Sequence, residues 1–347
     1  MTNKPSFSCD YMEGALPEIL EALLKTNMEQ SPGYGTDSYT ASAKTKIREA
    51  CGTPDADVFF LVGGTQTNAT VIRAMLKTYE GVIAAETGHI SVHEAGAIEA
   101  GGHKVLMIPH YDGKISARDL EDYLRNNLAD GNRDHMVIPG MVYISQPTEY
   151  GTLYSRAELE QISALCHEYK LPLYVDGARL AYALACKEND VTLKDLGRLC
   201  DAFYIGGTKC GALFGEAVVI PQPGLIPHFF TTIKQGGALL AKGRIAGTQY
   251  DVLFTDDLYL KAGKAGIDAA DRIRAVLEEE GYELKFGSPT NQLFVALDDA
   301  ERERLSDEVG LGFWENLPDG RTIMRIATSW ATTDANVDRL IEVLRKH

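Results

Sequence analysis

A lysine between glycines is the first candidate for chemistry in this chain of 347 residues. Lys209 follows the apolar stretch Asp201-Ala-Phe-Tyr-Ile-Gly-Gly-Thr and precedes Cys-Gly-Ala-Leu. Burial and neighbouring cations lower the pKa of a lysine amine, which makes the amine nucleophilic and suited to Schiff-base chemistry. A lysine on an exposed surface loop is the alternative, and this segment by itself does not decide between the two.

An acidic residue stands at the end of another apolar stretch. Asp176 closes Leu171-Pro-Leu-Tyr-Val-Asp, and Arg179 follows three positions later. In open α/β sheets, ligands bind outside the carboxyl ends of the strands, so an acid at such an end is placed to hold a ligand. An ion pair between Asp176 and Arg179 is the purely structural alternative.

A glycine-rich turn follows a third apolar stretch. Val58-Phe-Phe-Leu-Val runs into Gly63-Gly64-Thr65, and a helical pattern begins directly afterwards. Glycines let the backbone approach a ligand closely, and the start of a helix offers free N–H groups to a phosphate. A tight turn without a ligand fits the same residues, since the segment has neither a Walker loop nor the full GxGxxG spacing.

Together, these three segments predict a cofactor site. Pyridoxal 5′-phosphate (PLP) needs a phosphate site, a lysine for its Schiff base and a carboxylate on its pyridine nitrogen. The carboxylate keeps that nitrogen protonated, so that the ring can accept the electrons of a carbanion. The alternatives from other classes are a non-catalytic binder and a nucleotide-dependent α/β enzyme, in which the glycines would hold a nucleotide.

Two histidines lie four positions apart in Gly88-His-Ile-Ser-Val-His-Glu. His89 and His93 could form a zinc pair on a helix, but the segment is not HExxH and no third ligand is evident. Gly88 favours a strand end at His89, whose flat ring is suited to stack on a pyridine ring. For His93, a packing role near a helix start is the simpler interpretation.

The elements that must carry these side chains alternate between short apolar strands and helices. This alternation predicts an α/β fold with a mainly parallel seven-stranded sheet, covered on both faces. A long helical pattern and further short strands after about residue 250 predict a small α+β domain. The predicted division is an N-terminal arm at 1–15, a large cofactor-binding domain at 16–250 and a small C-terminal domain at 251–347. The predicted strands of the large sheet are Val58–Val62, Val82–Ala85, Lys104–Ile108, Met141–Ser145, Leu173–Val175, Ala202–Ile205 and Ala217–Ile220.

The composition restricts the partners. Lys and Arg number 34 against 49 Asp and Glu, which gives a net charge of −15. A negative field of this size repels phosphate backbones and anionic membrane surfaces, so we expect neither nucleic acid nor a membrane as a partner. Six cysteines without a CxxC pair, and the lack of an apolar N-terminal leader, predict a reduced, cytoplasmic globular protein.

At these segments the chain resembles the threonine aldolases of the β-eliminating lyase family, which have the aspartate-aminotransferase-like fold (PLP fold type I). The resemblance implies a PLP-dependent carbon–carbon lyase that cleaves L-threonine or L-allo-threonine into glycine and acetaldehyde. The alternatives are another β-hydroxy amino acid as the substrate, or β-elimination or transamination as the reaction. The resemblance covers nearly the whole chain, and its strings include Ser6-Phe-Ser-Cys-Asp, Gly63-Gly-Thr-Gln-Thr-Asn, His89-x-x-x-His-Glu, Gln146-Pro-Thr-Glu-x-Gly and Asp176-Gly-Ala-Arg-Leu.

The resemblance implies roles at the cofactor for single residues. Lys209 would form the Schiff base, Asp176 would face the pyridine nitrogen, and His89 would stack on the ring. His89, or a water that it positions, would also take the proton of the substrate β-hydroxyl. No metal ion is expected. Further cofactor contacts are implied for Gly64, Thr65, Arg179 and Thr208.

The resemblance also implies how an amino-acid substrate is held. The substrate carboxylate would contact Ser8, Arg179 and Arg325, and the planar guanidinium of Arg325 suits bidentate binding. Tyr34 would reach the site of a neighbouring subunit, because relatives assemble as homodimers or homotetramers with shared active sites. With Lys209 and the helix start, the two arginines predict a locally positive site in an acidic protein.

Three positions depart from the pattern of the relatives. The lysine segment reads Thr208-Lys-Cys-Gly where relatives have Ser-Lys-Gly, so a serine contact would pass to the threonine. The segment from Lys234 to Gly237 lacks an arginine with which relatives contact the phosphate of the second subunit. His135 is a candidate for a second histidine near the substrate hydroxyl, although the spacing then requires an insertion.

Overall fold

Short apolar stretches of the first 220 residues form one sheet in the computed structural model, which describes residues 4–346. The order across the sheet is β1-β7-β6-β5-β4-β2-β3, with β7 antiparallel to both neighbours and the other pairs parallel. The predicted mainly parallel seven-stranded sheet is therefore confirmed. Its strands are β1 Asp57–Leu61, β2 Glu80–Ala85, β3 Val105–Ile108, β4 Ile138–Ser145, β5 Leu173–Asp176, β6 Ala202–Gly206 and β7 Glu216–Ile220.

Apolar side chains cover both faces of this sheet. Neighbouring residues of one strand, such as Val142 and Tyr143, belong to different buried clusters because successive side chains of a strand point to opposite faces. The helices that pack there are α1 Pro17–Lys25, α2 Ser38–Cys51, α3 Gly64–Met75, α4 His89–Val92, α5 Ala97–Ala100, α6 Ala117–Ala129, α7 Arg156–Tyr169, α8 Leu180–Ala185, α9 Leu193–Leu199, α10 Phe229–Gln235 and α11 Arg244–Leu253.

Side-chain caps fix the starts of four of these helices, α2, α6, α7 and α9. The Ser116 hydroxyl accepts a hydrogen bond from the backbone N–H of Asp119 at the start of α6. Ser155 and Glu158 form a reciprocal capping box at the start of α7. Within residues 4–346, no helix is both long and apolar enough to cross a membrane.

The C-terminal part of the chain forms a second, smaller sheet of four antiparallel strands in the order β10-β11-β9-β8. The N-terminal segment docks on it, since the backbone N–H of Phe7 donates to Gly310 and that of Ala327 donates to Phe7. The division at residues 15 and 250 stays a prediction. The elements of this part are α12 Leu258–Glu279, β8 Glu283–Leu284, β9 Gln292–Leu297, α13 Asp299–Glu308, β10 Gly312–Asn316, β11 Thr322–Ala327 and α14 Asp334–Leu344.

A very close backbone approach fixes the turn that follows β5. A Cβ atom on Gly177 would lie 2.0 Å from the carbonyl oxygen of Tyr204, and one on Gly206 would lie 2.4 Å from that of Ala178. Only glycine leaves room for this approach. The ends of β5 and β6, which carry Asp176 and lead to Lys209, therefore lie side by side.

Candidate active site

The carboxyl ends of β4, β5 and β6 and the starts of α3 and α4 enclose one cavity. Parallel strands end at the same edge of a sheet, which explains why distant segments meet there. Predicted site residues in its walls are Gly64, His89, Asp176, Arg179 and Lys209. The other lining residues are Ser145, Pro147, Thr148, Glu149, Ala178 and Tyr204.

Hydrogen bonds converge on the buried carboxylate of Asp176. The hydroxyl of Tyr204 donates to Oδ1 at 2.5 Å, and the backbone N–H of Ala178 donates to the same oxygen at 3.0 Å. Oδ2 accepts from the Tyr143 hydroxyl at 2.7 Å and from the Asn68 amide at 2.9 Å. These four donors hold the carboxylate in one orientation at the cavity wall.

The same amide connects Asp176 with His89. Nδ2 of Asn68 also donates to Oε1 of Glu94 at 2.7 Å, and Nδ1 of His89 lies 2.7 Å from that oxygen. The Tyr174 hydroxyl donates to the other end of the amide at 2.9 Å, which fixes its orientation. Burial raises the pKa of Asp176, but the neighbouring His89 and the hydrogen bonds outweigh burial, so the pKa lies below its ordinary value.

Lys209 presents a perturbed amine. Its Nζ lies 5.8 Å from the ring centre of Tyr11. Burial lowers the pKa of the amine, Arg179 lowers it further, and the acids Asp10 and Asp176 oppose this only in part. A larger share of the amine is therefore uncharged at neutral pH than in an exposed lysine, as a nucleophile requires.

Arg179 pairs with an acid from the N-terminal segment. Its Nε and Nη2 donate to the two carboxylate oxygens of Asp10 at 2.7 and 2.9 Å. An ion pair of Arg179 with Asp176, the structural alternative considered above, is therefore wrong. Burial raises the pKa of Asp10, but Arg179 outweighs burial and lowers the pKa to about 2. The contacts of Arg179 with a cofactor or substrate stay predictions.

Thr208 is not among the residues that line the cavity. Its hydroxyl donates to Oε1 of Glu216 at 2.8 Å and accepts from the N–H of Gly215 at 3.0 Å. The N–H of Gly207 donates to the other oxygen of Glu216 at 3.1 Å, and burial raises the pKa of this carboxyl to about 8. A cofactor contact of Thr208 stays a prediction, as does that of Thr65, which is exposed at the second position of α3.

The second sheet brings Arg325 and Ser8 together. Nη2 of Arg325 donates to the carbonyl oxygen of Ser8 at 2.7 Å, and Nη1 donates to Gln292 at 3.1 Å. The guanidinium lies 5.5 Å from the ring centre of Trp314, and its Nε is buried without a partner in the described part of the chain. Burial and the neighbouring charge of Arg179 lower the pKa of Arg325. Roles in substrate binding stay predictions for both residues.

The histidines differ from the sequence-based expectation. His89 begins α4 after the N-cap Gly88, so the predicted strand end is wrong. His93 is the C-cap of α4 and so lies at a helix end instead of a helix start. Its ring packs 5.7 Å from that of His89 and 5.9 Å from that of Trp314, as a packing role predicts. Burial and the nearby His89 lower its pKa.

His135 lies outside the cavity of its own chain. It ends the 3-10 turn Arg133–His135, which lies before the amino end of β4. The cavity lies at the carboxyl end of that eight-residue strand, roughly 25 Å away along an extended chain. One chain by itself thus does not bring His135 to the cavity, and a contact of His135 with the substrate hydroxyl stays a prediction.

Tyr34 lies outside the cavity as well. It is 43% exposed, and the ammonium of Lys234 lies 4.4 Å from its ring centre. It borders a separate apolar pocket that includes Phe60 and Phe230. One chain by itself thus does not bring Tyr34 to Lys209, and its contact with a neighbouring subunit stays a prediction. A phosphate contact across subunits likewise stays a prediction. The segment from Lys234 to Gly237 lacks the arginine that makes this contact in relatives.

Comparison with known proteins identifies the family. The family model described as beta-eliminating lyase matches residues 7–296. The chain belongs to the β-eliminating lyase family. A β-eliminating lyase relative, the low specificity L-threonine aldolase of Pseudomonas aeruginosa, is 31% identical, and the match covers 98% of this chain and 96% of the relative. The predicted resemblance is confirmed.

Solved structures agree with this assignment. This β-eliminating lyase is similar to the threonine aldolase of Leishmania major, with a TM-score of 0.95, 46% sequence identity and 99% of each chain covered. Aspartate aminotransferase of Thermus thermophilus has a TM-score of 0.70 at 17% identity, covering 98% of this chain and 90% of its own. The latter similarity concerns the fold alone, and it confirms the predicted aspartate-aminotransferase-like fold.

Several residues around the cavity have no role in the sequence analysis. Each lies inside one of the sequence strings that carry the family resemblance, and that string is the signal that could have identified it. Each of these side chains also has at least one partner from a distant segment, which its own string does not contain. These residues are Asp10, Asn68, Glu94 and Glu149.

Proposed function

We propose that this protein is a PLP-dependent carbon–carbon lyase that cleaves L-threonine or L-allo-threonine into glycine and acetaldehyde. The observation that carries the proposal is the single cavity in which Lys209, Asp176 and the start of α3 meet. The names of the Pseudomonas and Leishmania relatives support threonine as the substrate.

The residues of the cavity fit PLP. Asp176 is held ionised, as a partner of a protonated pyridine nitrogen must be. A Cβ on Gly64 would lie 3.2 Å from the Tyr204 hydroxyl. The free N–H groups at the start of α3 would hold the phosphate. Lys209 would hold the aldehyde carbon, and the His89 ring would pack on the pyridine. When bound, PLP supplies a ring that accepts the electron pair of the breaking Cα–Cβ bond.

The side chains of the chain itself then have distinct tasks. Arg325 and Arg179 bind and orient the substrate carboxylate, with Arg179 held in place by Asp10. Glu94 holds His89 through Nδ1, which fixes the plane of its ring. The lowered pKa of Lys209 keeps an uncharged amine available. A proton must also leave the substrate β-hydroxyl, and the acceptor has to face the cavity.

The experiment that tests this function measures acetaldehyde release from a panel of β-hydroxy amino acids. The wild type should bind PLP, turn yellow, release acetaldehyde from threonine and gain the cofactor mass on the Lys209 peptide after borohydride reduction. Lys209→Ala should lose the release, whereas Lys187→Ala, at an exposed lysine, should keep it. A colourless wild type that does not bind added PLP would refute the proposal, and equal activity of Lys209→Ala would refute the role of the lysine.

We also propose that the protein assembles as a homodimer or homotetramer with shared sites and works in the cytoplasm. The exposed position of Tyr34 beside an apolar pocket supports a contact with a second copy. Five of the six cysteines are buried as free thiols, which suits a reducing compartment. Light scattering should show a mass of at least two chains, and Tyr34→Ala should lower activity without lowering the melting temperature.

A further inference from the structure

A second acid lines the cavity beside Lys209. Glu149 follows the end of β4 in the string Gln146-Pro-Thr-Glu, and only 8% of it is exposed. It belongs to the same cavity wall as His89 and Lys209. A carboxyl group at such a depth is costly unless donors or a proton compensate for the lost water. Its partners therefore indicate what it does.

Two donors hold one oxygen of this carboxyl group. The backbone N–H of His89 donates to Oε1 of Glu149 at 2.9 Å, and the hydroxyl of Ser145 donates to Oε1 at 2.7 Å. Both hydrogen bonds end on the same oxygen, which leaves Oε2 available to a ligand in the cavity. The side chain is thus fixed in place while half of its acceptor capacity remains unused.

The surroundings favour the uptake of a proton. Burial raises the pKa of Glu149, the charge of Asp176 raises it further, and Ser145 and His89 oppose this only in part. A carboxyl with a raised pKa accepts a proton more readily near neutral pH than an exposed glutamate does. The titratable groups that face it from the packed elements and across the cavity are His89, Tyr143, Tyr150, Tyr154, Asp176, Arg179 and Lys209.

We propose that Glu149 is the catalytic base that receives the proton of the substrate β-hydroxyl through Oε2. This inference rests on the lyase function proposed above. The O–H bond breaks, its electron pair forms the C=O bond of the leaving aldehyde, and the proton goes to Glu149. Bound PLP would accept the electron pair of the breaking Cα–Cβ bond, and a proton from solvent would complete glycine at Cα. Glu149 then releases its proton to solvent.

This assignment moves the base from His89 to Glu149. Nδ1 of His89 is already bonded to Glu94 at 2.7 Å, an arrangement that holds the ring still and suits stacking. Glu149 is fixed by two donors to one oxygen and keeps its other oxygen for the substrate. The competing explanation is structural, because the bond to the His89 N–H also fixes the start of α4. The test must therefore separate proton transfer from positioning.

Glu149→Gln makes that separation. The amide oxygen can still accept the bonds from His89 and Ser145, but it cannot take a proton. We expect kcat for threonine cleavage to fall by about 10²–10⁴-fold. PLP affinity, followed by absorbance, and exchange of the glycine α-proton in D₂O should change by less than about threefold, because neither requires removal of a hydroxyl proton. The acid limb of the pH profile of kcat/KM should disappear.

Ser145→Ala provides a second, independent test. The Ser145 hydroxyl lowers the pKa of Glu149, so its removal should raise that pKa and move the acid limb of kcat/KM to higher pH. Ser163→Ala is the matched control, because this buried serine donates to Leu199 and lies outside the cavity lining. Its acid limb should stay where the wild type has it.

The outcomes are distinguishable. Cleavage by Glu149→Gln within about threefold of the wild type, with the acid limb intact, overturns the proposal. Parallel loss of cleavage, PLP binding and glycine exchange means that Glu149 shapes the cavity, which also overturns it. If Glu149→Gln does not fold, the Ser145→Ala profile decides, and an unshifted limb overturns the assignment. Failure of the lyase function itself shows in the wild type, which would then release no acetaldehyde.

Discussion

The ion pair between Asp10 and Arg179 allows a stability prediction with a definite magnitude. Asp10 is 1% exposed and accepts two hydrogen bonds from the Arg179 guanidinium and one from Asn291. Asp10→Asn keeps the shape of the side chain but leaves the Arg179 charge without its counter-ion. Breaking a buried pair in this way costs about 3–5 kcal/mol. We expect the lower end of that range, because the amide oxygen can still accept one bond from Arg179.

The pH dependence of stability follows from the same pair. The pKa of Asp10 is lowered from 3.8 to about 2 in the folded protein. A lowered folded-state pKa contributes stability above the unfolded pKa, and this contribution is lost as the pH falls toward the folded pKa. The difference corresponds to about 2 kcal/mol at neutral pH, of which about 1 kcal/mol is lost by pH 3. Asp10→Asn should lack this acid-dependent component.

Urea unfolding of the PLP-loaded protein at fixed protein concentration measures both effects. Asp268→Asn is the control, because Asp268 forms an exposed pair with Lys264 and its loss should cost less than about 1 kcal/mol. An unfolding free energy of Asp10→Asn within about 1 kcal/mol of the wild type at pH 7 would refute the reasoning. So would an unchanged slope of stability against pH between about pH 5 and pH 3.

Three further variants test other parts of the structure. Asn68→Leu removes the donor shared by Asp176 and Glu94, so PLP affinity measured by absorbance titration should fall about tenfold or more. Gly177→Ala brings a Cβ into contact with a backbone carbonyl, so its urea midpoint should show a loss of about 3 kcal/mol or failure to fold. Ser155→Ala removes the α7 cap and should cost about 1 kcal/mol of stability in the same assay without changing kcat.

The large sheet was predictable because its signals are local. Each strand is a short, mostly apolar run, and a glycine, a proline or a polar residue ends it or follows it within two positions. Covered parallel strands need no alternation. Asp176 and Lys209 could be placed at strand ends from their immediate neighbours in the sequence. Parallel topology then brings such ends together, which is why Gly64, Asp176 and Lys209 line one cavity.

The small sheet was only partly predictable. Helix α13 buries a single side chain, Leu305, so its sequence shows no apolar stripe. Strand β10 buries none of its residues fully and has an irregular register with β11 between Phe313 and Glu315. Neither element has the regular spacing of apolar residues by which helices and strands are predicted from sequence. Both are stabilised by their neighbours in the fold.

The partners of the site residues could not be predicted, because they come from distant parts of the chain. Arg179 pairs with Asp10 over 169 positions, and Arg325 reaches Ser8 over 317 positions. Tyr143 and Tyr204 illustrate a second difficulty. In the sequence they look like apolar strand residues, whereas in the structure their hydroxyls hold Asp176. The sequence alone does not distinguish a tyrosine that only packs in the core from one whose hydroxyl also binds a site residue.

The sequence predicts an excess of positive charge at the site. The structure shows in addition how the charged groups are arranged. Four buried acids near the site divide into two kinds. Asp10 and Asp176 have lowered pKa values because cations and donors surround them, so they stay ionised and position other groups. Glu149 and Glu216 have raised pKa values because burial dominates, so they take up protons more readily than exposed glutamates do. The lowered pKa of Lys209 lets it release a proton more readily than an exposed lysine does. Groups that exchange protons thus lie beside groups that keep their charge, and this division, more than the net charge, suits the cavity to proton transfer.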